Sequence, residues 1–184
     1  MILLRHGQSE FNVHMTATRR DPGIADPRLT EYGHAQADQA AFALRHERIA
    51  RIVCSPYSRA LQTAEPMARL LNVPVRVTPL VRERFGYACD IGTPRAELDQ
   101  RWPDHDFSAI DDIWWPSDHE PADSVIDRAG RFRAEMAALA DWRDTVVVSH
   151  WGFILCMTGQ SVMNGQWLRC DPTAPAPPEV IWQP

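Results

Sequence analysis

The amino-acid sequence predicts an α/β fold built around a mostly parallel sheet, and three observations lead there. Apolar runs of strand length occur at Met1-Ile2-Leu3-Leu4, at Arg51 to Cys54 and at Thr145 to Ser149. Each run breaks at its carboxyl end into a turn with polar residues: Arg5-His6-Gly7, Ser55-Pro56-Tyr57-Ser58-Arg59 and Ser149-His150-Trp151-Gly152. Between the runs lie segments whose apolar residues recur at helical spacing. Strands that alternate with helices in this way make βαβ units, and open α/β sheets bind their ligands at the carboxyl ends of the strands.

The elements follow in order. Residues 13–29 carry Arg19-Arg20-Asp21-Pro22-Gly23 and Asp26-Pro27, which is loop chemistry. Thr30 is a suitable N-cap for a helix from Glu31 to about Glu47, with Ala37, Ala41 and Leu44 on one face. After the strand Arg51 to Cys54, a helix from Ser58 to Leu71 buries Leu61, Ala64, Ala68 and Leu71. Pro66 inside it has no N–H for the carbonyl of Gln62 and should kink it. Val75 to Thr78 reads as a short strand. Val125, Ala129, Phe132 and Met136 define an amphipathic helix from Ser124 to about Asp141, and an apolar helix from Gly152 follows the last strand.

Two regions have no such period. Residues 84–121 contain Pro94, Pro103, Pro116 and Pro121 with Trp102, Trp114 and Trp115, and are expected to form an excursion packed over the site. One short helix is expected within it, around Arg95 to Arg101, and its three tryptophans offer an apolar wall to an organic leaving group. Beyond Asp171 the chain is proline-rich, and Val180-Ile181-Trp182 has the composition of an edge strand. With no repeat or linker, residues 1–184 are expected to form a single domain.

Composition narrows the function. A net charge of −5 with no lysine, all 19 basic residues being arginine, argues against nucleic-acid or anionic-membrane partners. Cys54, Cys89, Cys156 and Cys170 lack C-x-x-C spacing and read as buried thiols of a reducing compartment. With a strand expected from residue 1, no signal peptide is expected, and the longest apolar stretch, Thr145 to Met157, is too short to span a bilayer. The expected location is the cytoplasm. No His, Cys, Asp and Glu cluster has zinc spacing, so no metal and no cofactor are expected. Nothing in the sequence specifies an oligomeric state.

The strand endings suggest phosphoryl chemistry. An arginine can hold phosphate oxygens by a charge-assisted fork while an imidazole nitrogen attacks phosphorus. Taken together, the three endings resemble the histidine phosphatase superfamily in its phosphoglycerate-mutase-like branch. The opening pattern reads Arg5-His6-Gly7-Gln8-Ser9-Glu10-Phe11-Asn12, and the likeness continues through Leu29 to Ala37, Ser55 to Ala64 and Ser149 to Gly152. The resemblance implies a three-layer α/β/α fold.

It also implies roles. His6 would be the nucleophile that forms a phosphohistidine, with Arg5, Arg59 and His150 around the phosphoryl group. Asn12 would bind phosphate or the loop that carries it, and Ser9 would either stabilise that loop or touch ligand. The general acid of this branch is a glutamate in a Leu-x-x-Glu segment ending in glycine. Leu80-Val81-Arg82-Glu83-Arg84-Phe85-Gly86 matches and selects Glu83, with Asp90 as the competitor. Arg82 and Arg84 would depress the pKa of Glu83 if they pointed the same way. Trp151 stands where many members have glycine and would wall the pocket or pack behind it. The expected activity is a metal-independent phosphomonoesterase acting on a small phosphorylated metabolite. A cofactor-dependent phosphoglycerate mutase and a non-catalytic phosphate-binding regulatory module are the alternatives.

Overall fold

The computed structural model describes residues 1–182. Four parallel strands and one antiparallel strand form a sheet in the order β3-β2-β4-β1-β5. The strands are β1 (Ile2–Arg5), β2 (Arg51–Cys54), β3 (Val75–Val77), β4 (Thr145–Ser149) and β5 (Trp167–Arg169), the last antiparallel to β1. The helices are α1 (Glu10–Thr18), α2 (Glu31–Leu44), α3 (Ser58–Leu71), α4 (Arg95–Arg101), α5 (Ala122–Ala137) and α6 (Trp151–Thr158).

Strand periodicity sorts the core into two halves. Ile2, Leu4, Ile52, Cys54, Val146 and Val148 face one side, where Ala40, Ala41 and Leu44 of α2 and Leu61, Ala64 and Met67 of α3 cover them. Met1, Leu3, Val53 and Val147 face the other side, against Val125, Ala129 and Phe132 of α5 and Phe153 and Ile154 of α6. The result is the three-layer α/β/α arrangement. Strands buried on both faces explain why the sequence shows continuous apolar runs rather than alternation.

This order makes β2, β4 and β1 direct neighbours, all parallel. Their three polar endings therefore lie side by side on one edge of the sheet. Two backbone bonds extend the ladder past the strands, His6 N–H to Ser149 O at 3.0 Å and Ser55 N–H to Val148 O at 3.1 Å.

Several boundaries differ from the sequence reading. The supposed loop from residue 13 begins as helix, because α1 runs from Glu10 to Thr18. Ser9 caps it, and among its residues Phe11 is the buried one, so no apolar stripe announces it. Helix α2 stops at Leu44, and α5 is shifted toward the N-terminus, ending at Ala137. Helix α3 spans its expected residues and continues through Pro66. The edge strand is Trp167–Arg169, not Val180-Ile181-Trp182, which has no strand pairing.

Residues 84–121 fold back onto the α2/α3 face. Phe107, Ile110 and Trp114 enter its core, and Trp102 and Trp115 pack against it. Trp114 meets Tyr57 edge-on at 4.7 Å and donates to Thr93 O at 2.9 Å. Trp114 therefore fills the interior, while Trp102 and Trp115 stay partly buried at its margin.

Candidate active site

The loop leaving β1 is held by backbone contact. Thr30 caps α2 by accepting from Gly33 N–H at 3.0 Å, and its own N–H donates to Gln8 O at 3.0 Å. A Cβ on Gly33 would lie 2.0 Å from Gln8 O, so only glycine permits this approach. Gly7 N–H donates to Thr63 Oγ1 on α3 at 3.1 Å. Ser9 and Asn12 form a reciprocal cap: Ser9 N–H and Oγ–H each donate to Asn12 Oδ1 at 2.9 Å. Asn164 adds a bond to Asn12 Oδ1 at 3.2 Å and one to His6 O at 3.1 Å. The Ser9 hydroxyl and the Asn12 carbonyl are thus engaged within the loop.

His6 is 4 % exposed, and its ring lies 5.0 Å from that of His150, which is fully buried. His6 Nδ1 sits 2.7 Å from Gly7 O. A carbonyl can only accept, so Nδ1 carries the proton and Nε2 keeps the lone pair. Burial holds the His6 imidazole well below its usual range, and the Arg59 and Arg5 guanidinium groups add to that against the opposing Gly7 bond. Burial lowers His150 in the same way, with help from Arg59, His6 and Arg5. Both rings are neutral near pH 7. His150 Nε2 is 2.8 Å from Ser55 Oγ.

Two arginines flank the histidines. Arg59 lies in the first turn of α3, where the helix terminus adds positive potential, and is 3 % exposed. It donates to Cys89 O at 2.7 Å and to Asp90 Oδ1 at 3.2 Å. Asp90 is 1 % exposed and also accepts from Gly86 and Tyr87 N–H at 3.1 Å each. Arg5 donates to Val162 O at 2.7 Å. Among the described residues, Arg5 Nε and His150 Nδ1 are enclosed without a hydrogen-bond partner.

Glu83 follows a 3₁₀ turn at Pro79–Val81 that Ser149 secures by donating to Val81 O at 2.7 Å. Its carboxylate accepts Gly152 N–H in the first turn of α6 at 3.0 and 3.1 Å, and Arg84 N–H at 2.8 Å. Burial raises its pKa and the Asp90 charge raises it further, while the two amides and Arg59 oppose them. Arg82 points away, to Glu120. Arg84 donates to Glu120 O at 2.9 Å and lies over the Trp182 ring. Trp151 is partly buried, donates to Ser161 Oγ at 2.8 Å and packs against Trp182 at 6.1 Å.

The sequence reading missed Ser55, Thr63 and Asn164. Ser55 stands in the quoted Ser-Pro-x-x-Arg turn and could have been found there. Thr63 and Asn164 act from 56 and 158 residues away on Gly7 and His6, with no local signal. Among the described residues, no three His, Cys, Asp or Glu side chains converge as a metal ion requires.

Fold and site together define a class: α/β proteins with a paired-histidine, arginine-flanked centre at the carboxyl edge of a parallel sheet. A sequence model of the histidine phosphatase superfamily, branch 1, matches residues 1–173, and the chain belongs to that superfamily. It is 31% identical over 166 residues to a glucosyl-3-phosphoglycerate phosphatase of Mycolicibacterium vanbaalenii, covering 86% of this chain and 72% of the relative. It is 30% identical over 158 residues to an adenosylcobalamin/alpha-ribazole phosphatase of Salmonella typhimurium, covering 83% and 74%. A probable phosphatase of Schizosaccharomyces pombe is 31% identical over 112 residues, covering 58% of this chain and 50% of its own length. The solved mycobacterial glucosyl-3-phosphoglycerate phosphatase in complex with VO3 superposes with a TM-score of 0.64 at 27% identity, covering 91% of this chain and 90% of the other.

Proposed function

We propose that this chain is a cytoplasmic, metal-independent phosphomonoesterase that hydrolyses a small phosphorylated metabolite through a phosphohistidine on His6. One observation carries the reading: a neutral His6 with Nδ1 tied to Gly7 O and Nε2 available, beside two buried polar atoms that lack partners, Arg5 Nε and His150 Nδ1. A phosphoryl group satisfies such atoms. The phosphatase names of the relatives support hydrolysis over isomerisation.

In the first step the His6 Nε2 lone pair attacks phosphorus and the ester P–O bond breaks. The bond's electron pair goes to the leaving oxygen, which takes a proton from Glu83. Arg5, Arg59 and His150 stabilise the charge on the equatorial oxygens. With Ser55 donating to Nε2, His150 presents Nδ1–H to the phosphoryl group. In the second step the Glu83 carboxylate removes a proton from water as the water oxygen attacks phosphorus. The P–N bond breaks, its pair returns to Nε2, and phosphate departs. The buried Asp90 carboxyl group holds Arg59 in place, Asn12 and Ser9 hold the nucleophile loop, and the Trp151 indole packs against Trp182. We read residues 1–184 as one domain in which 84–121 carries Asp90 to Arg59.

The test is a panel of phosphate monoesters assayed for phosphate release, with and without EDTA, and a rapid quench with labelled substrate. An acid-labile, base-stable adduct on His6 and rates unchanged by EDTA are expected, with inhibition by vanadate. A fully active His6→Ala enzyme overturns the mechanism, and activity lost to EDTA and restored by Mg²⁺ overturns metal independence.

A further inference from the structure

Glu83 belongs to no helix or strand, yet its carboxylate is held at two amides. What holds the segment lies behind it. Arg82, Glu120 and Arg128 form a buried cluster whose side chains are 11%, 2% and 5% exposed. Arg128 projects from α5 and engages all its N–H donors. Nε and Nη2 each reach a Glu120 oxygen at 3.0 Å, and Nη1 reaches Leu80 O at 2.9 Å and Arg82 O at 3.0 Å. The remaining Nη2 hydrogen reaches Glu83 O at 3.3 Å.

Glu120 completes the frame. It takes both terminal nitrogens of Arg82 at 2.9 to 3.1 Å, the Phe85 N–H at 3.3 Å and the Ser124 hydroxyl at 3.0 Å. Its backbone exchanges bonds with Phe85 O at 2.9 Å and Arg84 Nε at 2.9 Å. Residues 80–85 are therefore gripped from one side by a single ion cluster, and Arg82 is turned away from the Glu83 carboxylate.

We propose that Arg128 and Glu120 are positioning residues for the general acid, setting the place of Glu83 relative to the leaving oxygen. The inference rests on the reading of Glu83 as the proton donor. The physical ground is distance. A proton is transferred only within hydrogen-bond reach, and a shift of about 1 Å costs on the order of 100-fold. No side chain other than arginine can reach two carboxylate oxygens and three carbonyls at once, so lysine is no substitute at position 128. A cluster that only stabilised the fold would slow every substrate alike when weakened.

The experiment compares kcat/KM for p-nitrophenyl phosphate, whose leaving group needs little protonation, with that for an alkyl phosphate, whose leaving group needs a proton. The proteins are the parent, Glu83→Gln, Arg128→Lys and the shape-preserving Glu120→Gln. Arg128→Lys and Glu120→Gln should each lose about 10- to 100-fold on the alkyl ester and under about threefold on the nitrophenyl ester, the loss lying in kcat rather than KM. If Arg128→Lys does not fold, Glu120→Gln carries the same expectation. Equal losses on both esters, or none, overturn the inference while Glu83→Gln still discriminates between them. A Glu83→Gln enzyme that does not discriminate overturns the reading of Glu83 and the inference with it.

Discussion

The Glu83 carboxylate sits directly on the backbone amide of Gly152, with Oε1 and Oε2 at 3.0 and 3.1 Å from that nitrogen. A Cβ at position 152 would lie 2.5 Å from Oε1. The atom met is the end of the Glu83 side chain, so any side chain at 152 must displace that carboxylate from the start of α6. Gly152→Ala should push Glu83 off its amide and lower kcat/KM for alkyl phosphates by about tenfold or more, with a smaller effect on p-nitrophenyl phosphate. Steady-state kinetics on the two esters checks this, and equal rates in the variant and parent would remove Glu83 from the reaction.

The opposed shifts of His6 and Glu83 fix the form of the pH profile. The proposed mechanism needs His6 neutral and Glu83 protonated. With ordinary values of 6.5 and 4.5, those two states would rarely coexist. Burial lowers the first and raises the second, which widens the shared window. For an alkyl phosphate, kcat/KM should fall at low pH as His6 protonates, below 6.5, and at high pH as Glu83 ionises, above 4.5. Glu83→Gln should lack the high-pH limb. A variant that keeps this limb would show that another group ionises there.

Arg59 and Asp90 are coupled, and the pair predicts two separable effects. Arg59→Ala should lower kcat/KM at least about tenfold, since a charged donor to phosphate is worth about 1.5–3 kcal/mol. It also leaves Asp90 buried without its cation, which typically costs about 3–5 kcal/mol of stability. Adding Asp90→Asn should recover part of the stability but none of the activity. Thermal unfolding and kinetics on the single and double variants separate these, and a double variant with restored activity would return Arg59 to a structural role.

The strand endings were legible because each is local: an apolar run, a turn and a polar residue occupy fewer than ten consecutive positions. Parallel pairing of β1, β4 and β2 then brings His6, His150 and Arg59 to one edge. Helices α2, α3 and α5 were readable from their buried stripes. Helix α1 was not, since it buries Phe11 alone, and β5 was not, since three residues with one partly buried leucine carry no pattern. The tryptophans of residues 84–121 could not be placed from sequence because proline and indole give no period, and long-range packing against Tyr57 puts Trp114 in the core. Glu120 and Arg128 were invisible for the same reason, their partners in residues 80–85 lying 35 to 48 residues away.

Hydrolysis against isomerisation turns on the arginines rather than on the acidic residues. A mutase must hold a second phosphate while its bisphosphate intermediate reorients, and it must keep water from the phosphohistidine. The acidic excess of residues 84–121 does not decide this. Glu97, Asp99, Asp104, Asp106, Asp111, Asp112 and Asp118 are exposed, while the buried Asp90 and Glu120 are paired with arginine. The cations are more telling. Arg82 and Arg128 are both committed to Glu120, and Arg84 gives its Nε–H to the Glu120 carbonyl. Arg5 and Arg59 both lie beside His6, where the proposed mechanism needs them for a single phosphoryl group. Phosphate release from monoesters should therefore exceed interconversion of 2- and 3-phosphoglycerate, measured on one preparation with 2,3-bisphosphoglycerate supplied. Isomerisation faster than hydrolysis would make the enzyme a mutase and leave the phosphohistidine chemistry standing.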